Sequence, residues 1–239
     1  MTTSRIVVAP GHYIIRDTQN GKVSYWQGQY HQSAADRHGV STADYIHAMY
    51  FFLMQAQSKS VLMIGCGGGT LATMLHRSNV SVTVIDLHKM SFDIAHRYFA
   101  MPDDIDCHTA DGITWLKGTR ARYDAIVLDA FGENGMPAPF MEPSFFKLAK
   151  TRLKRDGLFL MNVIVDNDDD RRPDAMCRAL KPHFTKVRLL DTDGWIDRNG
   201  VIAAGSVSRL TKPKVLMPPS PGAAKLARQL DILDWRRLR

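Results

Sequence analysis

Three acids stand at places where the chain reads as leaving a strand: Asp86, Asp111 and Asp129. Asp129 closes the apolar run Ala125–Leu128 and opens a polar, glycine-containing stretch that reaches Pro137. Carboxylates accept hydrogen bonds and, when well placed, take protons. A row of three on one rim could therefore hold sugar hydroxyls, an exocyclic amine and a cation. At Asp129 three roles stay open: a reactive acid, a ligand clamp, or the polar end of a strand.

A glycine loop precedes these acids. Val61–Ile64 reads as a strand and runs into Gly65-Cys66-Gly67-Gly68-Gly69, after which a helical pattern begins. Glycines allow a tight turn and let a ligand approach the backbone closely. Asp86 ends the next strand about 20 residues after Gly65, the place from which an acid meets ribose hydroxyls. Asp111-Gly112 follows the third strand, where Asp111 could reach an adenine amino group, cap the helix carrying Trp115 and Leu116, or do both. Thr70 stands where a dinucleotide pattern needs glycine, and the phosphate-binding G-x-x-x-x-G-K-[ST] is absent. The loop thus fits a nucleoside without phosphates, such as S-adenosylmethionine or its decarboxylated form. The plainer reading is a glycine turn with Asp86 as a helix N-cap.

The elements that must position these residues follow from periodicity. Ile14–Arg16 and Val23–Trp26 flank Asn20-Gly21, a hairpin signal, and a polar strand-like stretch, 27–33, follows. Ile46, Met49, Tyr50 and Leu53 mark one face of a helix from about Thr42 to Gln57. From Ser60 short apolar strands alternate with helices, which argues a parallel sheet covered on both faces. The expected strands are Val61–Ile64, Val80–Ile85, Ile105–Thr109, Ala125–Leu128 and Leu158–Val163. Lys186–Leu190 and Val201–Val207 are spaced for an antiparallel pair at the sheet's end. The fold class expected is α/β: a Rossmann-like, methyltransferase-type, doubly wound, mostly parallel sheet with a small N-terminal β-hairpin domain. The expected divisions are 1–36 for the hairpin segment, 37–208 for the nucleoside-binding catalytic domain, and 209–239 for a basic, proline-containing tail with a short helix.

Composition bounds the function. With 45% hydrophobic and 23% charged residues, the chain reads as a soluble globular protein. No apolar run approaches the ~20 residues of a membrane span, and the first residues lack the apolar core of a signal peptide. Three cysteines, without metal-ligand spacing, suggest free thiols in a reducing cytoplasm and no metal. The net charge of +7 is concentrated: residues 209–239 hold eight Lys/Arg against two Asp. Such a tail is either a solvated helix after a proline-rich linker or an arm for an acidic partner. The first is preferred, because Trp235 is the tail's only aromatic, and a nucleic-acid partner is not expected. Asp166–Asp170, largely acidic, could line the mouth of a slot for a cation; the preferred reading is a solvated loop that caps the next helix, with Pro173 in its first turn.

Across roughly residues 21–205 the sequence resembles the polyamine aminopropyltransferases, or spermidine synthases, and most their short, divergent bacterial members. Gly28, Gln32 and Asp36 resemble a D-G-x-x-Q-x-x-x-x-D segment, with Gln32 one place past the pattern's glutamine. The glycine loop, Asp86, Asp111-Gly112, Tyr123–Asp129, Glu142–Phe146 and Asn199–Ala204 follow in the family's order. The resemblance implies transfer of an aminopropyl group from decarboxylated S-adenosylmethionine to a small-molecule amine, in polyamine biosynthesis, by a cytoplasmic homodimer. It implies Gln32, Gly65, Gly67, Gly69, Asp86, Asp111, Gly112 and Asp129 as donor-binding residues. It implies Asp129 and Tyr45 at the acceptor, with Asp129 orienting the amine and Tyr45 closing the pocket.

The chain departs from the family's D-[ST]-[ST]-D segment, because Gly132 replaces the second aspartate. Glu133, one place later, becomes the candidate base. The donor-holding acid of the family's G-G-G-D-G-G loop is Gly68 here. Tyr45, with Asp44 beside it and His47 two places on, stands in for the family's Y-[HQ]-E. Two alternatives therefore stay open: a methyltransferase of a small molecule, which needs positioning more than a strong base, and a nucleoside-binding homologue without catalysis. Asp129-Ala130-Phe131-Gly132 does not match the [DNS]-P-P-[FYW] of the usual DNA amino-methyltransferases.

Overall fold

A computed structural model describes residues 3–132 and 135–238. Strands β1 (Thr3–Ala9), β2 (His12–Asp17), β3 (Val23–Gln27) and β4 (Tyr30–Ala35) form an antiparallel four-stranded sheet in sequence order. The expected hairpin is therefore the centre of a larger sheet, β2 and β3, with β1 added on one side. Ile14, Val23, Tyr25 and Ala35 pack this sheet against Ile94 and Phe99 of α3 (Lys89–Phe99).

The rest of the chain builds one eight-stranded sheet. Its elements are α1 (Asp44–Gln55), β5 (Ser60–Ile64), α2 (Thr70–His76), β6 (Ser81–Asp86), α3, β7 (Asp106–Thr109), α4 (Gly112–Gly118) and β8 (Tyr123–Leu128). A 3-10 turn (Ala138–Met141), α5 (Pro143–Arg152), β9 (Leu153–Val165), α6 (Arg172–Leu180), β10 (Val187–Asp191), β11 (Arg198–Gly205), α7 (Ala223–Ile232) and β12 (Asp234–Arg236) follow. The strand order is β12-β10-β11-β9-β8-β5-β6-β7. The five strands from β9 to β7 run parallel; β11 and β10 are antiparallel neighbours at one end.

Side-chain alternation explains why the parallel strands are apolar throughout. Val61 and Met63 face the layer of α1, α2 and α7, while Leu62 and Ile64 face that of α4 and α5. A strand covered on both faces has no solvent side to mark with polar residues.

The C-terminal segment is not a solvated helix. Leu226 and Leu230, one turn apart, and Leu233 sit in the core, and β12 pairs with β10. The ring of Trp235 stacks on Phe52 with centroids 5.2 Å apart. Arg236 is nearly buried and places its guanidinium 2.6 Å from Asp174 and 2.8 Å from Asp191. The tail's charge count concealed an apolar stripe and an arginine committed to buried acids.

Asp166–Asp170 is also partly committed. Asp168 meets Arg198 at 3.0 Å, and Asp170 accepts the backbone N–H of Arg172 at the start of α6. Among the described residues no helix is long and apolar enough to cross a membrane.

Candidate active site

The sheet reverses its winding between β5 and β8, and a doubly wound sheet opens a crevice at the carboxyl ends of such a pair. Here the crevice is a cleft of about 1330 Å³, roofed by residues of β3 and β4. Gly65, Gly67, Asp86, Asp111, Gly112 and Asp129 line it. Gln32 and Tyr45 line it too, from β4 and the first turn of α1.

The glycine loop explains its own composition. Gly65 has φ +98° and packs so closely on the carbonyl of Asp129 that a Cβ has no room. The loop is also stitched to the neighbouring strand ends: Asp86 Oδ2 accepts the N–H of Cys66 at 2.9 Å, while Oδ1 accepts those of His88 and the Ser91 hydroxyl. Asp86 is not the N-cap of α3, which is His88; its carboxylate instead accepts three hydrogen bonds of about four possible. Asp111 caps α4 through Oδ1, which accepts the N–H and hydroxyl of Thr114 at 2.8 and 2.7 Å, and its side chain stands at the cleft wall. Gly69 begins α2 at φ +65°, packed against Met101, and is not on the cleft wall.

Gly68 is closed to any side chain. A Cβ there would lie 2.8 Å from the ring of Phe99 and 2.9 Å from Ser33 Cβ, and the Gly68 N–H already donates to Ser33 Oγ at 2.8 Å. Ser33, which lines the cleft, was not legible as a site residue: nothing in its local pattern marks its contact with the loop.

Asp129 is the centre of the other half. Tyr45 donates its hydroxyl to Oδ2 at 3.3 Å, and Asn162 donates its amide to Oδ1 at 2.8 Å. Burial raises the Asp129 pKa, and the Asn162 and Tyr45 hydrogen bonds pull it back. Burial, helped by Asp129, pushes the Tyr45 phenol well up, so Tyr45 remains a donor. Asn162 is 2% exposed and its Oδ1 has no hydrogen-bond partner in the described protein. It was missed from sequence, although one signal existed: it is the only polar residue in the apolar run Leu158–Val165.

The remaining candidates divide. His47 is in the core, with Nε2 2.7 Å from the Ser41 carbonyl, and not on the cleft wall. Asp44 accepts the N–H of Tyr45. Gly132 lines the cleft beside Asp129, and a Cβ there meets nothing closer than 4.0 Å among the described residues. Glu133 lies outside the described residues. Among the described residues, no group of three or more His, Cys, Asp or Glu is disposed to hold a metal ion.

A family model described as the spermine/spermidine synthase domain matches residues 44–187. A protein described as a probable polyamine aminopropyl transferase of Bifidobacterium longum is 29% identical over 113 residues, covering 46% of this chain and 25% of that protein. The eEF1A lysine and N-terminal methyltransferase of Mus musculus is 24% identical over 171 residues, covering 66% of this chain and 24% of its own length. The chain thus matches only about a quarter of either relative. A solved structure described as a probable spermidine synthase from Corynebacterium glutamicum superposes on 100% of this chain and 91% of that one, with a TM-score of 0.78 at 15% identity. That superposition establishes the fold.

Proposed function

The chain belongs to the spermine/spermidine synthase family, and we propose that it transfers an aminopropyl group from decarboxylated S-adenosylmethionine to an amine seated at Asp129. The observation that carries this reading is the Asp129 carboxyl, fixed by Tyr45 and Asn162 on the same cleft as the glycine loop and Asp86. The reading assigns Gly65, Gly67, Asp86, Asp111, Gly112 and Gln32 to the adenosyl part of the donor.

Transfer asks little of the protein beyond position and a proton acceptor. The donor carbon beside the sulfonium is already electrophilic. The acceptor nitrogen bonds to it, the carbon–sulfur bond breaks, methylthioadenosine leaves, and one proton must go from nitrogen to a base. A carboxyl whose pKa is raised by burial takes that proton more readily than one at the surface. Asp129 is therefore assigned the proton as well as the orientation of the amine. Glu133 is kept as a second candidate base.

A methyltransferase of a small molecule is the second reading, and Gly68 and Gly132 favour it. Two acids that the family applies to cationic groups are absent from these positions. Calorimetry with S-adenosylmethionine, its decarboxylated form and methylthioadenosine separates the two. Aminopropyl transfer requires the decarboxylated donor to bind more tightly; tighter binding of S-adenosylmethionine sinks it in favour of methyl transfer. Failure of all three to bind removes both.

A further inference from the structure

The cleft-facing residues of β9 form a graded row. Asn162, Ile164 and Asp166, just past the strand's end, all line the cleft, and residues two apart on extended chain share a side at about 7 Å per step. The inner end is polar and incomplete, since the buried Asn162 Oδ1 has no donor among the described residues. An unmet buried acceptor is a standing cost that an incoming N–H removes. The middle is apolar, with Ile164 38% exposed and Phe131 and Pro139 also on the wall. The outer end offers the Asp166 carboxylate, which the second ammonium of a diamine would seek.

That carboxylate is already taken. Arg172 Nη2 stands 2.5 Å from Asp166 Oδ1 and 2.8 Å from Asp170 Oδ2, and Arg172 itself lines the cleft. A guanidinium stays charged at any working pH. Asp197, whose N–H donates to the Asp166 carbonyl, adds one exposed carboxylate at the mouth.

We infer that Arg172 is a built-in counter-cation occupying the distal end of the acceptor slot, so that the cleft takes a primary amine with one positive charge and an apolar body in preference to a diamine of the same length. A second ammonium would arrive beside a guanidinium, and like-charge juxtaposition rejects partners. An alkyl or aryl end meets Ile164 instead. The inference rests on the proposed seating of an amine at Asp129 and Asn162.

The test is calorimetry on the full chain, with and without methylthioadenosine, using octylamine against diaminooctane and decylamine against diaminodecane, whose lengths approach the two steps from Asn162 to Asp166. The unmodified protein should prefer each monoamine. Arg172→Gln should tighten the diamines by about fivefold, the scale of an exposed ion pair, and leave the monoamines unchanged. Arg172→Lys, which keeps the charge, should keep the original order, and thermal unfolding shows that each variant is folded. The inference is overturned if the unmodified chain prefers diamines, if Arg172→Gln leaves the preference unchanged, or if neither protein binds any amine. A chain that binds methylthioadenosine but ranks the amines the other way sinks the role of Arg172 alone. One that binds neither methylthioadenosine nor the donors sinks the proposed function as well.

Discussion

Tyr45 and Asp129 are 84 residues apart in sequence, yet the phenol of one donates to the carboxylate of the other at 3.3 Å. The contact ties the first turn of α1 to the end of β8, and it holds one carboxylate oxygen while Asn162 holds the other. An acid gripped on both oxygens, and raised in pKa by burial, has a definite chemical signature.

Asp129→Asn should lower aminopropyl transfer by about 100-fold or more, the scale of a lost general base, while methylthioadenosine still binds. Its stability should move the other way. Folding raises the Asp129 pKa above the ordinary 3.8. Native stability therefore falls as pH rises from 3.8 through the raised value, and at neutral pH the charged group is a burden. Denaturant unfolding at neutral pH should show Asp129→Asn at least as stable as the parent. Marked destabilisation would contradict the burial argument.

Tyr45→Phe should change the pH profile. The Tyr45 hydrogen bond lowers the Asp129 pKa against burial, so its loss lets the pKa climb further. The acid limb of kcat/KM, which the proposed role of Asp129 assigns to that carboxyl, should shift to higher pH in Tyr45→Phe. A shift to lower pH, or none, would assign the limb to another group.

Restoring the family's two acids should give opposite results. At Gly132 a Cβ meets nothing closer than 4.0 Å among the described residues, so Gly132→Asp should fold normally and improve use of diamines. At Gly68 it meets the Phe99 ring and Ser33, and Gly68→Asp should cost about 1–3 kcal/mol as an overpacked site. Thermal unfolding of the pair checks this; equal stability would refute the packing account.

Arg236→Met should cost about 3 kcal/mol, because it strips a partner from Asp174, which is fully buried, and from Asp191. Urea unfolding measures it. A loss below about 1 kcal/mol would mean that the acids are satisfied without Arg236.

The half of the cleft proposed for the donor was legible because it depends on local rules. A glycine at φ +98° and acids at strand ends are written in single segments, and each strand announces itself by its apolar run. The half proposed for the acceptor was less so. Tyr45 could be named only through family likeness, Asn162 through a polar letter in an apolar strand, and Ser33 and Arg172 not at all: the partner of Ser33 lies 35 residues on, and nothing in the local pattern of Arg172 points it to the cleft. β12 was invisible for another reason: three residues, Asp-Trp-Arg, carry no periodicity. Its place is set by pairing with β10, by Trp235 on Phe52 and by the acids that receive Arg236.

Gly65 and the Asp129 carbonyl share one van der Waals boundary. The loop assigned to one substrate is therefore the floor on which the other substrate's acid rests. Gly65→Ala would push the end of β8 and displace the Asp129 side chain, so a lesion in the nucleoside loop would be read in kinetics as a defect toward the amine. At this seam the two proposed sites are one backbone contact, and sorting residues into one list or the other stops making sense.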